Sequence, residues 1–202
     1  KLFRIIQSRF LTIDGSPIGY WIPSQIFDLF EDLPRLEEFA SPVTGIQTGR
    51  NARFVRYWWE PGERSLDTRW RTYAKGGPYN KYYGNLYWVV DWASDGQELR
   101  SYQGSHVSNE EFHFREGVTY SDVASTGFNA RLLPEGSLFD LSGHSVFSDQ
   151  YSPQYILGLL NAKLINYVLN ILNPTFHFQV GDVARVPFAV PSEDEERRIE
   201  SL

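Results

Sequence analysis

Apolar residues fall most regularly between residues 153 and 172, where Ile156, Leu159, Leu160, Leu164, Tyr167, Val168, Ile171 and Leu172 recur near a 3.6-residue spacing. Ser152-Pro153 sets a cap residue before a proline at the first helical position, and Asn173-Pro174 ends the pattern, so one long packed helix is predicted here. A shorter helix is expected from Ser24 to about Glu31, with Ile26, Phe27, Leu29 and Phe30 on its apolar side, after a short strand over Gly19-Tyr20-Trp21-Ile22-Pro23. Pro34 and Pro42 bracket a second, acidic helical turn. Over residues 43–54, Gly45, Gly49 and Asn51 interrupt β-type residues, which predicts a strand, a sharp turn and a new strand.

From Phe54 to about Phe147 the pattern changes to short aromatic and β-branched runs at 53–59, 87–92, 112–114 and 128–132. Turn signals separate them at Pro61-Gly62, Gly76-Gly77-Pro78, Ser94-Asp95-Gly96, Glu116-Gly117 and Pro134-Glu135-Gly136. The expectation is a curved, mostly antiparallel sheet or partial barrel. Two more strands are predicted at 176–180 and 183–190, followed by a charged terminal helix at 193–202 opened by Pro191-Ser192. The fold class is therefore α/β (α+β): a curved sheet, one long packed helix and a C-terminal spacer helix.

Composition refines this picture. A chain of 202 residues with 42% hydrophobic content can bury one globular core. The absence of cysteine excludes disulfides, thiolate metal sites and a cysteine nucleophile, and fits a reducing compartment. No apolar run approaches membrane-spanning length, so no membrane partner and a cytoplasmic location are expected. Opening on Lys1-Leu2-Phe3 without any methionine reads as a segment of a longer protein. The net charge of −6 argues against a uniformly basic, phosphate-binding surface. The acids concentrate at 28–38 and 193–200, however, whereas 50–81 holds an excess of Arg and Lys, which predicts a basic face on an acidic body.

The usual chemistries are missing. There is no glycine-rich cofactor turn and no Asn-Pro-Pro-Tyr loop; Asn173-Pro174-Thr175-Phe176 departs from it at the third residue and terminates a helix. His106, His113, His144 and His177 are scattered rather than paired as zinc ligands. His144 lies near Asp140 and Ser145, but no glycine-flanked elbow presents a serine nucleophile. What remains is a polar, basic and aromatic stretch at 69–85. Arginine and lysine can pair with phosphates or guanine edges, asparagine can read adenine with two hydrogen bonds, and tyrosine can stack. The same composition also describes an ordinary loop with core aromatics and solvated lysines.

Taken together, several segments resemble the specificity region of the adenine-specific DNA methyltransferases (PglX) of BREX phage-defence systems. They are Thr44 to Asn51 with Phe54; Tyr73 to Tyr79 with Lys81 and Tyr83-Gly84-Asn85; Val89-Val90-Asp91-Trp92 with Asp95-Gly96; Phe114 to Ser121; Arg131; Phe139-Asp140; Tyr155 to Lys163; Leu172 to Thr175; and Phe178 to Val183. More broadly the chain is similar to TaqI-like C-terminal specificity domains and to the specificity subunits of restriction-modification enzymes. The resemblance implies a linker from a catalytic domain at 1–18, a target recognition domain at 19–190 and the start of a spacer helix at 191–202. It also implies a non-catalytic fragment without cofactor or metal. S-adenosylmethionine and the flipped adenine would be held by an upstream methyltransferase domain of the same chain, while this part grips double-stranded DNA. Candidate DNA contacts are Thr48, Arg50, Asn51 and Arg53 on the first turn and Lys75, Asn80, Lys81 and Tyr82 on the second. The competing reading is a protein-interaction module that docks onto another defence-system subunit.

Overall fold

The β-type residues of the chain sort into two four-stranded sheets, seen in a computed structural model that describes residues 6–13, 15 and 19–201. Half of the predicted linker, residues 1–5, 14 and 16–18, lies outside the described residues. The first sheet runs, in spatial order, β1 (Ser41–Val43), β8 (Gly143–Phe147), β5 (Gly117–Ser121) and β6 (Ala130–Leu133), with every pair antiparallel. The second runs β2 (Val55–Tyr57), β4 (Trp88–Asp91), β3 (Trp70–Ala74) and β7 (Leu138–Phe139), and its β3–β7 pair is parallel. Among the described residues the sheets do not close into a barrel.

Every residue of β5 and β8 is buried, because each face of these strands is covered. Val118, Tyr120, Ala130 and Val146 point to one side and pack on Ile156, Leu160, Val168 and Phe178 of the helical layer. On the other side Phe147 meets Ala74, Leu133 and Phe139, which couples the two sheets. A further core of Ile46, Phe54, Val55, Tyr73, Val90, Trp92, Leu99 and Leu138 belongs to the second sheet. Two glycines permit the coupling. A Cβ at Gly45 would stand 2.0 Å from the carbonyl oxygen of Phe139, and one at Gly143 would stand 2.5 Å from that of Ala74.

Several local expectations change. The predicted long helix is two, α4 (Pro153–Asn161) and α5 (Lys163–Leu172), bent by 69° at Ala162, whose ψ of 141° is extended. The capping expectation holds: Ser152 Oγ accepts from the Tyr155 N–H. The break follows from Asn161, which is 4% exposed and bonds β6 as a strand would, its Oδ1 accepting from Ala130 N at 3.0 Å and its Nδ2 donating to Ala130 O at 2.9 Å. Gly19–Pro23 is a turn closed by Ile22 N–H to Gly19 O, not a strand, and α1 (Ser24–Asp32) follows Pro23 as its cap. The second strand predicted within 43–54 gives way to the one-turn helix α2 (Asn51–Phe54). Residues 110–112 form a 3₁₀ turn instead of opening a strand. Ser94, Asp95 and Gly96 take left-handed angles at the start of α3 (Ala93–Ser101). The strands predicted over 176–190 are replaced by α6 (Val180–Ala184) and irregular chain, with Val183 and Val186 buried three residues apart. The terminal helix α7 (Glu193–Glu200) forms as expected, capped reciprocally by Ser192 and Glu195. No single described helix is long and apolar enough to cross a membrane.

Candidate nucleic-acid interface

Parallel pairing of Ala74 with Phe139 brings the next residue of each strand, Lys75 and Asp140, side by side. Their charged ends lie 2.6 Å apart, with the Lys75 side chain 16% and the Asp140 side chain 8% exposed. Asp140 also accepts from Ser142 N at 2.8 Å and Ser142 Oγ at 2.5 Å, and the Tyr73 hydroxyl lies 2.6 Å from its Oδ2. Burial, reinforced by Asp140, raises the Tyr73 phenol well above its ordinary value, so it stays protonated.

The segment 45–51 lies along this pair. Ile46 N–H donates to Phe139 O and Leu141 N–H to Ile46 O, while Gln47 exchanges both backbone bonds with His106. Thr48 is 3% exposed, and its Oγ1 donates to Asn51 Oδ1 at 2.6 Å, which orients the Asn51 amide at the start of α2. Between the two segments is an open cleft of about 390 Å³ lined by Gln47, Thr48, Gly49, Asn51, Lys75, Asp122, Asp140, Leu141 and Ser142.

The structure thus gathers Thr48, Asn51 and Lys75 at one cleft, and Arg50 is exposed between two cleft residues. The other candidates are held elsewhere. Arg53 pairs with Glu98 and lies over the Phe54 and Tyr102 rings at 5.3 and 5.1 Å. Lys81 donates to Asn161 O at 2.7 Å, and Asn80 Nδ2 to Asn85 Oδ1 at 2.8 Å. Tyr82 adopts a left-handed φ of 71° and joins β6 through its backbone, with its side chain exposed. Arg131 anchors this second loop. It is fully buried and donates to Asn80 O, Ser121 Oγ and Asn129 Oδ1, with no carboxylate partner among the described residues. Burial pushes its guanidinium down to about 10, which leaves it charged at neutral pH.

Sequence reasoning did not single out Gln47, Asp122 or Ser142 as contacts, and met Asp140 as a neighbour of His144 and in the Phe139-Asp140 pair of the family resemblance. Asp122 sits 3.4 Å from His177 Nδ1 and 3.7 Å from His144 Nε2, and burial lowers His144 despite that carboxylate. Among the described residues no group of His, Asp or Glu is arranged to hold a metal ion. Chemically, the cleft offers two amides, two hydroxyls, two carboxylates and one ammonium. Amides match adenine N6 and N7, a carboxylate can accept from cytosine N4, and an ammonium can reach guanine. The carboxylates disfavour phosphate within the cleft itself. Among the described residues, Arg50, Arg56 and Arg64 are included in the cations that have no carboxylate partner and can meet phosphate.

Comparison with known proteins bears on this geometry. The adenine-specific methyltransferase PglX of Lacticaseibacillus casei (strain Zhang) is 34% identical over 208 residues, covering 93% of this chain and 17% of that protein. The adenine-specific methyltransferase BrxX of Escherichia coli O9:H4 (strain HS) is 37% identical over 192 residues, covering 90% of this chain and 16% of that protein. The chain is homologous to a segment of these methyltransferases. It spans about one sixth of the length of PglX and BrxX, so the activity in their names does not by itself assign one to this part. No family model matches the chain.

Proposed function

We propose that this chain is the DNA-recognition part of an adenine-specific methyltransferase of the BREX type, non-catalytic in itself. The observation that carries the reading is the meeting of the 45–51 segment with the Lys75–Asp140 pair in one polar cleft. In this reading Asn51 and Gln47 address base edges of double-stranded DNA, Lys75 and Asp140 form a fixed floor, and Arg50 contacts phosphate. S-adenosylmethionine and the target adenine are handled by a methyltransferase domain elsewhere in the protein, and other defence-system subunits are further partners. The test is titration of the intact protein with duplex DNA at stepped salt concentrations. Affinity that falls steeply with salt supports the reading, and binding that is absent or independent of salt opposes it.

A second reading, a protein-interaction module, draws on one observation. Three of the four cations proposed from sequence have internal partners, with Arg53 on Glu98, Lys75 on Asp140 and Lys81 on the Asn161 carbonyl. In that case the salt titration finds no DNA binding, and a subunit of the same system is retained by the chain.

A further inference from the structure

One edge of the second sheet carries a cluster of aromatic rings of which Trp88 alone packs against the core of that sheet. Tyr57 closes β2 opposite Trp88 of β4, and their rings stack with centroids 4.1 Å apart and planes 21° apart. Trp59 continues the stack on Tyr57 at 4.6 Å and 5°, and Trp58 meets Trp59 edge-on at 5.5 Å. Trp58 N–H donates to Tyr87 O, which ties the turn to the residue preceding β4. Along this strand pair Val55 and Val90 are buried, whereas at its end Tyr57 is 39%, Trp58 51%, Trp59 56% and Tyr87 45% exposed. Isolated exposed aromatics are ordinary, but rings that touch one another and remain open to solvent mark a binding surface.

The surroundings specify the occupant. Arg56, between Val55 and Tyr57 and so on the opposite face of the edge strand from the Tyr57–Trp88 stack, donates to the Ala52 and Val55 carbonyls and lies over the Trp70 ring at 5.8 Å, without a carboxylate partner among the described residues. Glu60, the acid nearest the stack in sequence, accepts from its own turn at Tyr57 N, 2.5 Å away. A ladder of nearly parallel rings on an edge strand whose other face carries an uncompensated guanidinium suits a planar ring on an anionic strand that passes around that edge. A nucleobase with its phosphate has that chemistry. We propose that Tyr57, Trp58, Trp59 and Trp88 form a stacking platform for unpaired DNA bases, with Arg56 contacting the backbone. This inference rests on the DNA-binding reading above and adds to it a second surface. The cleft reads paired edges, and the platform holds bases that have left the duplex.

The experiment uses fluorescence anisotropy with the intact protein, a labelled single strand of about 12 nucleotides, a fully paired duplex and the same duplex with a central unpaired bubble. Trp58→Ala/Trp59→Ala should weaken binding to the single strand and the bubble by roughly 5- to 150-fold and abolish the quenching of tryptophan emission by the strand. Trp59→Phe, which keeps a ring, should restore most of the affinity. Asn51→Ala, a cleft variant, should leave single-strand binding unchanged. Unchanged bubble binding by a Trp58→Ala/Trp59→Ala protein with native circular dichroism overturns the platform alone. So does wild-type binding to the paired duplex with no added affinity for the bubble. Failure of the wild-type protein to bind any of the three DNAs overturns the platform and the recognition reading together.

Discussion

Replacing Asp140 by alanine should show how far the cleft is part of the core. The carboxylate is buried, faces Lys75 at 2.6 Å, and takes two further hydrogen bonds from Ser142, with the Tyr73 hydroxyl also in reach. Asp140→Ala strands a largely buried ammonium, and breaking such a pair from one side costs roughly 3–5 kcal/mol. The lost hydrogen bonds overlap with that figure and are not added to it. For a domain of this size each kcal/mol lowers the melting temperature by about 2–4 °C, so the fall should be roughly 6–20 °C. Lys75→Met leaves Asp140 with Ser142 and Tyr73 and should cost less, about 1–3 kcal/mol. Because Lys75→Met removes the orphaned charge, the double variant should be more stable than Asp140→Ala alone, with a coupling of about 1–3 kcal/mol in a double-mutant cycle. Urea denaturation followed by circular dichroism gives all three values. An Asp140→Ala cost under about 1 kcal/mol, or strictly additive single effects, would refute the claim that Lys75 is held as an internal partner.

Burial lowers both His113 and His144 below the ordinary imidazole value of 6.5. Between the native and unfolded values the unfolded chain binds protons that the native state does not. Their contribution is therefore full above about pH 6.5 and declines as the pH falls through that window. The urea midpoint should be lower at about pH 5.5 than at about pH 7.5, and His144→Gln should flatten the difference; a midpoint that rises on acidification contradicts the assignment. Asn161→Ala leaves the buried Ala130 N–H unpaired, while Ala130 O keeps the Tyr82 N–H, and should cost about 1–3 kcal/mol in the same urea assay, whereas a loss under about 0.5 kcal/mol would show that the bonds to β6 do not hold the helix break. Gly45→Ala forces a methyl group to 2.0 Å from Phe139 O. It should destabilise by at least about 1–3 kcal/mol and lower duplex affinity by displacing the 45–51 segment, so unchanged stability would contradict the close approach.

Local chemistry was legible where it acts locally. Ser152-Pro153 and Ser192 with Glu195 place their helix starts where the caps form. The two-sheet division was not legible, because it depends on Gly143 and Gly45 accepting backbone from strands remote in sequence. The bend between α4 and α5 was hidden for a similar reason: apolar periodicity runs through Ala162, and only the partner of Asn161 on β6 interrupts it. Val180, Val183 and Val186 suggested strands by residue type, although their three-residue spacing matches the short helix and turn that form. At the cleft, Thr48, Asn51 and Lys75 were legible as polar residues on glycine-bent turns. Asp140, 65 residues from Lys75, and Asp122 became visible only once the strands were paired.

The central claim is that the cleft reads base edges, and duplex selection with the intact protein tests it most directly. Wild-type and Asn51→Ala proteins are each used to enrich bound sequences from a randomised duplex pool, and single-base-pair variants of the enriched site are then titrated. The account expects Asn51→Ala to lose discrimination at one base-pair position by roughly 1–3 kcal/mol, about 5- to 150-fold, while preference elsewhere in the site persists. The same enriched sequence and the same ranking of variants for both proteins would contradict it.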